Sequence, residues 1–345
     1  MKPTLSLASA RTAKPMRGLS LVELMIAMVL GLVVLLGVMG VIRANGQNYR
    51  ATEALSGLQE NARTAFELMA REIRQAGDTG CGGNIAILPN PGLPAGWWQP
   101  WDPVRGFDDA AATPAVAFGT GAGRRINGTD ALQLQGVEGN AWPVASEVTV
   151  AANPATTNVT TVAGHPFRRN DVVVICNNTS PDFTDPQPLS ALFSALRNEP
   201  GGGTTLNVAG AAAADGNRMF AVNDQVSRYT ATTWYVGDNA RPDDGGRSLY
   251  RARLVQGTGA AAAVVIEEVL PGVQDMQLRF RGTNAGGQLF SPATGATAWN
   301  DVNAVEIVLT LLSPERNVAS DAAINAERRL QRTFTTIVAL RSRTQ

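Results

Sequence analysis

The sequence predicts an α+β protein in which a long N-terminal α-helix packs on an antiparallel β-sheet head with long loops. Three observations support this fold class. Residues 24–42 carry no charge, an amphipathic pattern with helical spacing follows as far as residue 76, and short apolar runs separated by turn residues fill the rest. The 35 glycines and 19 prolines among 345 residues argue against an all-helical bundle.

The charged residues are unevenly distributed along the chain. Basic and acidic residues balance at 29 each, yet residues 1–18 hold four basic residues and no acidic one. The overall balance argues against a broadly basic surface that neutralises phosphates, so we expect no nucleic-acid partner. The local excess gives the chain a basic leader.

The uncharged run at 24–42 is long enough to cross a membrane. As a helix, its 19 residues extend about 28 Å, which is close to the thickness of a bilayer core. Because positive charge precedes the run, we expect the first residues to be cytoplasmic and the remainder to lie outside.

A lone carboxylate, Glu23, lies at the start of this apolar helix. An ionisable group within hydrocarbon is costly, so a functional role is the default interpretation. The alternative is a side chain at the headgroup boundary, where the cost is small.

The segment around Glu23 has a recognisable pattern. The string GLSLVEL at 18–24, behind a basic leader and before a long apolar run, resembles the class III signal of type IV prepilins and pseudopilins. The resemblance implies that prepilin peptidase cleaves after Gly18, that Leu19 becomes the N-methylated amino terminus, and that Glu23 guides subunit packing in a filament. Leu19 replaces the Phe most common in that family.

An amphipathic helix is predicted beyond the membrane segment and ends near Gly77, which suits a helix C-cap. Polar residues separate its apolar positions, which we predict to form a seam against a sheet. The apolar positions are Leu55, Leu58, Ala62, Phe66, Met69, Ile73 and Ala76. The predicted organisation is a cleaved leader at 1–18, a transmembrane and filament-core helix at 19–45, an amphipathic helix at 46–77, and a periplasmic α+β head at 78–345.

Strands are predicted throughout the head from alternating or continuous apolar runs. They cover 131–135, 147–150, 158–162, 171–176, 249–255, 263–269, 276–281, 302–312 and 332–341.

Cys81 and Cys176 are the only two cysteines. An even number in an exported domain favours a disulfide, which would join the end of the helix to a strand. The alternative is a pair of buried free thiols.

Catalytic and metal-binding patterns are sparse. His165 is the only histidine and no CxxC spacing occurs, so we expect no metal site. The chain also has no recognisable nucleophile motif, so we expect no enzymatic role and no cofactor. His165 is predicted in a loop or at the surface. The acidic turn with Asp238, Asp243 and Asp244 lacks the spacing of a calcium loop.

Three C-terminal strings resemble the PilW-type minor pilins. They are VLPGVQDMQL at 269–278, VNAVEI at 302–307 and FTTIVALRSR at 334–343. The resemblance implies a minor pilin that is a prepilin-peptidase substrate in the bacterial inner membrane. It then helps initiate pilus assembly and sits at the pilus tip with other minor pilins, major pilin and a large adhesin-like protein.

Two alternatives stay open. A minor pseudopilin of a type II secretion system shares the signal and the helix. A membrane-anchored periplasmic binding or adhesion protein would need a site in the middle of the chain, 84–246, where no motif is assigned. Trp97, Trp98 and Trp101 offer either a core anchor or an interaction surface, and Arg124 and Arg125 are the remaining hints of a receptor.

Overall fold

The structure is a computed structural model with one long helix and antiparallel β-sheets. It describes residues 20–79, 81, 86–88, 101–146, 148–150, 156–177, 190–196, 203–209, 218–256, 263–282, 290–295, 299–318 and 327–341. Two compact units, Met1–Glu53 and Ala54–Gln345, divide the chain.

Helix α1 covers Leu21–Gln75. The prediction of one continuous helix through the apolar and amphipathic segments is therefore confirmed for the described residues. The helix ends as expected, because Gly77 adopts a positive φ of 79° that suits a residue without a Cβ.

Fifteen strands follow in the described residues. They are β1 (Ala86–Leu88), β2 (Val104–Phe107), β3 (Ala131–Pro143), β4 (Val148–Val150), β5 (Thr156–Thr160), β6 (Val172–Asn177), β7 (Ser190–Ala195), β8 (Thr205–Ala209), β9 (Arg218–Phe220), β10 (Gln225–Asp238), β11 (Arg247–Val255), β12 (Ala263–Pro271), β13 (Val273–Gly282), β14 (Val302–Leu312) and β15 (Gln331–Ala339). Each of the nine predicted strands overlaps one of them.

The largest sheet has the order β1-β7-β6-β10-β11-β12, and β3 joins it through β10 while β2 pairs with β3. A second sheet has the order β13-β14-β15, and β4–β9 and β5–β8 form two small ribbons. Every pairing between named strands is antiparallel except β1–β7. The α+β prediction thus agrees with the observed elements.

The main core of the unit Ala54–Gln345 forms where α1 meets both larger sheets. Leu58, Met69 and Ile73 of the helix are buried in one cluster with Trp234 of β10 and Ile307 of β14. The predicted seam is confirmed, with two of its residues, Leu55 and Phe66, only half-buried.

His165 lies in a loop, as one of the two predicted settings, and not at the surface. Only 5% of its surface is exposed. Its ring stacks on Phe167 with centroids 5.4 Å apart, and Phe167 belongs to a buried apolar cluster. The loop carries Phe167 into that cluster and covers His165 with it.

Candidate assembly segment

The first described turn of α1 is capped by a side chain. The Glu23 backbone N–H donates to Ser20 Oγ at 3.2 Å, and the Leu24 N–H donates to the Ser20 carbonyl oxygen at 3.1 Å. Ser20 is therefore the N-cap, and Glu23 occupies the third helical position, as in the S-x-x-E capping box. The positive end of the helix dipole favours a carboxylate at this position.

The helix that follows presents an apolar surface on all sides. Its large apolar side chains between Leu21 and Ile42 are 48–74% exposed. Among the described residues, α1 is the one helix that meets the length and hydropathy requirements of a membrane span, and its most apolar stretch is entirely unburied. A surface of this extent is stable only against lipid or against other helices.

In the unit Ala54–Gln345, the last turns of α1 are fixed to the sheet by charge. The Trp234 indole Nε1–H donates to Glu72 Oε2 at 2.6 Å, and Arg251 Nη1 lies 2.8 Å from Glu72 Oε1. The Arg251 guanidinium also lies over the Trp234 ring, 5.6 Å from its centroid. Glu72 therefore anchors the helix through two donors on adjacent strands, β10 and β11.

The network continues to β12. Glu267 accepts hydrogen bonds from Arg251 and Arg253, each at 2.7 Å, and these donors lower the pKa of Glu267 below its usual range. Glu267 is thus kept ionised next to two arginines.

A disulfide links the segment that follows α1 to the largest sheet. Cys81 and Cys176 are bonded, with Cα atoms 5.0 Å apart, and neither residue is more than 1% exposed. The bond joins the segment that follows α1 to β6, as the cysteine count and compartment predicted. No free cysteine is left for other chemistry, since these two are the only cysteines of the chain.

The comparison that bears on this segment is a family profile. The profile described as "Prokaryotic N-terminal methylation motif" matches residues 14–39. The chain carries a type IV pilin-like class III signal. No curated protein and no solved structure matches the chain.

The match covers the cap, Glu23 and most of the exposed apolar run. It supports a type IV pilin-like or pseudopilin-like protein, is consistent with membrane anchoring, and suggests a structural protein rather than an enzyme. Membership of the PilW family stays a prediction.

Several predicted site residues lie outside the described residues. These are Gly18 and Leu19 of the cleavage site and Trp97 and Trp98 of the aromatic segment. Trp101 is described, and it packs on Tyr229 with ring centroids 6.1 Å apart. For Trp101, the core interpretation is the one that the structure favours.

Arg124 and Arg125 were the residues that suggested a receptor, and the burial of Arg125 weakens that suggestion. Arg125 is fully buried, and its guanidinium donates to the backbone oxygens of Ala111, Phe107 and Thr129. It holds a loop together and cannot contact a ligand. Arg124 is exposed.

The acidic turn is a set of separate contacts. Asp238 accepts backbone N–H groups from Gly121 and Ala240, Asp244 pairs with Arg241, and Asp243 pairs with Arg316. In the part of the chain that the structure describes, no group of three metal-binding side chains occurs.

The sequence analysis does not predict two residues that position the helix, Ser20 and Glu72. The Ser20 cap could have been found, because Ser20 and Glu23 have the S-x-x-E spacing. Glu72 had no signal of its own, because it lies among arginines on the polar side of an amphipathic helix and its partner Trp234 is 162 residues away.

Proposed function

We propose that this protein is a minor type IV pilin that helps to initiate pilus assembly and sits in a minor-pilin complex at the pilus tip. The observation that carries the proposal is the methylation-motif match at 14–39, followed by a capped helix whose apolar surface has no partner among the described residues of its own chain. A head of 268 residues, 78–345, is large for a subunit that repeats around a closely packed filament, and a tip position has fewer neighbours.

The signal should be processed after Gly18. Mass spectrometry of the membrane-extracted protein is expected to show Leu19 as the first residue, carrying a methyl group. Gly18→Ala should accumulate the uncleaved form. An intact leader in the wild type, or a first residue beyond 42, would contradict processing at this site.

Glu23 should act in assembly after insertion. A new amino terminus is a cation near hydrocarbon, and a carboxylate one turn away can neutralise it when both leave water. We expect Glu23→Gln to insert and to be cleaved normally but to be depleted from sheared pili. Glu60→Gln is the matched control, because Glu60 is an exposed glutamate on the same helix. Equal recovery of both variants in pili would argue against the assembly role.

Deletion of the gene separates the candidate functions. A priming role predicts a loss of pilus number out of proportion to the low abundance of the subunit, together with immunogold label confined to filament ends. Label along the whole filament, or normal piliation, would overturn it. Normal pili with a block in protein secretion would instead support the pseudopilin alternative, which shares the motif.

A further inference from the structure

Strand β12 forms one edge of the largest sheet. It pairs with β11 from Ser248↔Pro271 to Val255↔Ala263, and with no other strand among the described residues. Among the described residues its other edge is therefore unpaired, and it presents backbone N–H and C=O groups that a further strand could pair with.

This edge is apolar on both faces of the sheet. Val264, Val265 and Ile266 are consecutive and 36–46% exposed. Because successive side chains of a strand point to opposite faces, an added strand would find apolar contacts above and below the sheet. β-branched residues of this kind favour strand pairing, and edge strands usually carry a lysine or proline that prevents it. β12 contains no lysine, and its one proline, Pro271, is its last residue, away from the apolar half.

The charges on β12 are already neutralised within the head. Glu267 is paired with Arg251 and Arg253, and Glu268 with Arg241. Hydrogen bonds from those arginines lower the pKa of both glutamates, so their charges are held toward β11 and its neighbouring loop. They do not protect the apolar half of the strand against an incoming partner.

The strand is complementary to itself. In an antiparallel pair of two β12 strands about a two-fold axis at Val265, Val264 lies opposite Ile266 and Ala263 lies opposite Glu267. Apolar residues then meet apolar residues, and no two carboxylates face each other. A parallel in-register pair would place Glu267 against Glu267. We infer that the β12 edge binds β12 of a second copy of this chain, in antiparallel register about Val265, and joins the two heads through one continuous sheet.

The test is cross-linking of the full chain in membranes. Since the two native cysteines are bonded to each other, an introduced cysteine is the only free thiol. Residues directly opposite each other have Cβ atoms about 4.5–5.5 Å apart, close enough for a disulfide after small adjustments. Val265→Cys should give, on mild oxidation, a reducible band of twice the monomer mass. Val264→Cys should give a weaker band, because its opposite residue is Ile266.

The control for random collision is Ile337→Cys. Ile337 is 56% exposed on β15, in the other large sheet, and should give little doubled band. Adding Val264→Lys to Val265→Cys should reduce the doubled band at least tenfold, while adding Val264→Thr should retain it. Retention of the Cys81–Cys176 bond in each variant shows that the head has folded.

Three results would overturn the inference. One is the absence of a doubled band from both Val264→Cys and Val265→Cys. Another is a band of equal strength from Ile337→Cys, which would indicate collision. The third is a cross-link at β12 to a protein of different mass, which would mean that another subunit covers this edge. The result is independent of pilus location, because it concerns contact between copies and can be read in a strain that makes no pili.

Discussion

The two parts of helix α1 differ in a way that its composition does not suggest. The part in the first unit, 21–53, is the more apolar, yet none of its residues is buried. The part that begins at Ala54 has many charged residues and buries seven side chains, namely Ala54, Leu58, Ala62, Ala65, Met69, Ala70 and Ile73. Apolar content therefore does not decide which part packs in its own chain.

The spacing of the apolar residues decides it instead. From Ala54 onward they recur every three or four residues and form one stripe, which a sheet can cover. Between 24 and 42 they occur all round the helix, and no single sheet face can cover them. The first part needs a surrounding apolar medium, so the stability of the head should not depend on it.

Two methionines on α1 provide the largest test of this difference. Met69 is fully buried and Met39 is 59% exposed. Met69→Ala should lower the free energy of unfolding of the head by about 2–5 kcal/mol, because a buried side chain leaves a cavity. Met39→Ala should leave it unchanged. A urea titration of the detergent-solubilised chain followed by tryptophan fluorescence reports on the head alone, since all six tryptophans follow residue 96.

Equal destabilisation by the two methionine variants would contradict the separation. It would mean that the apolar part packs against the head in solution.

Loss of the disulfide is expected to have the next largest effect on the stability of the head. Replacing both Cys81 and Cys176 by Ser should lower the stability of the head by about 2–4 kcal/mol, because a long loop of the unfolded chain is released. Extraction of the protein with membranes should not change, since the apolar helix precedes the bond. Wild-type protein treated with a reductant is the matched sample, and an unchanged urea midpoint in both would show that the bond contributes little.

How much could be predicted depends on whether a residue's partners are near in sequence. The helix, its end at Gly77 and the antiparallel strands of the second sheet follow from local periodicity. Strand β10 does not, because it is buried on both faces and contains Thr230, Thr232 and Thr233 where an alternating strand would have apolar residues. It was missed although it pairs with β3, β6 and β11 and is central to the largest sheet.

The candidate site divides in the same way. Gly18, Leu19 and Glu23 form a short contiguous pattern, so the sequence could suggest them. The contacts that hold the helix to the head join residues far apart in the chain. Glu72 meets Trp234 and Arg251 together because β10 and β11 are adjacent, and no local pattern encodes that adjacency.

The Glu72 network should have a smaller effect than the disulfide. Glu72→Gln weakens the hydrogen bonds from Trp234 and Arg251, and it should cost about 1–2 kcal/mol of head stability. Glu67→Gln is the control, because Glu67 is exposed and pairs with Arg63 on the same helix. Urea midpoints that shift equally for both variants would show that the contact with the sheet adds nothing beyond a surface charge.

The head should also show a pH dependence that the apolar helix lacks. Asp130 accepts N–H groups from Leu278 at 2.7 Å and Asp109 at 2.9 Å, and burial raises its pKa to about 6. As the pH rises, the unfolded state loses the Asp130 proton near pH 4, whereas the folded state keeps it until about pH 6. This contribution to stability is fully present below pH 4 and is lost as the pH rises through 6.

Asp130→Asn removes this titration. Between pH 4 and pH 7, the free energy of unfolding of the wild type should fall relative to that of the variant by about 1–2 kcal/mol. The measurement is a series of urea midpoints at fixed ionic strength. Parallel pH profiles for the two proteins would contradict the assignment to Asp130.

The smallest expected effect lies at the start of the apolar part. Ser20→Ala removes the oxygen that accepts the Glu23 N–H, and loss of an N-cap costs about 1 kcal/mol, confined to the first turn. Amide hydrogen exchange of the detergent-solubilised chain should become several-fold faster at residues 22–24 and stay unchanged in the head. Ser20→Asn, which retains a capping oxygen, is the matched control. If the alanine variant exchanged as slowly as the wild type, Ser20 would not be the cap, and the position of Glu23 in the first turn would have to be set by the residues before it.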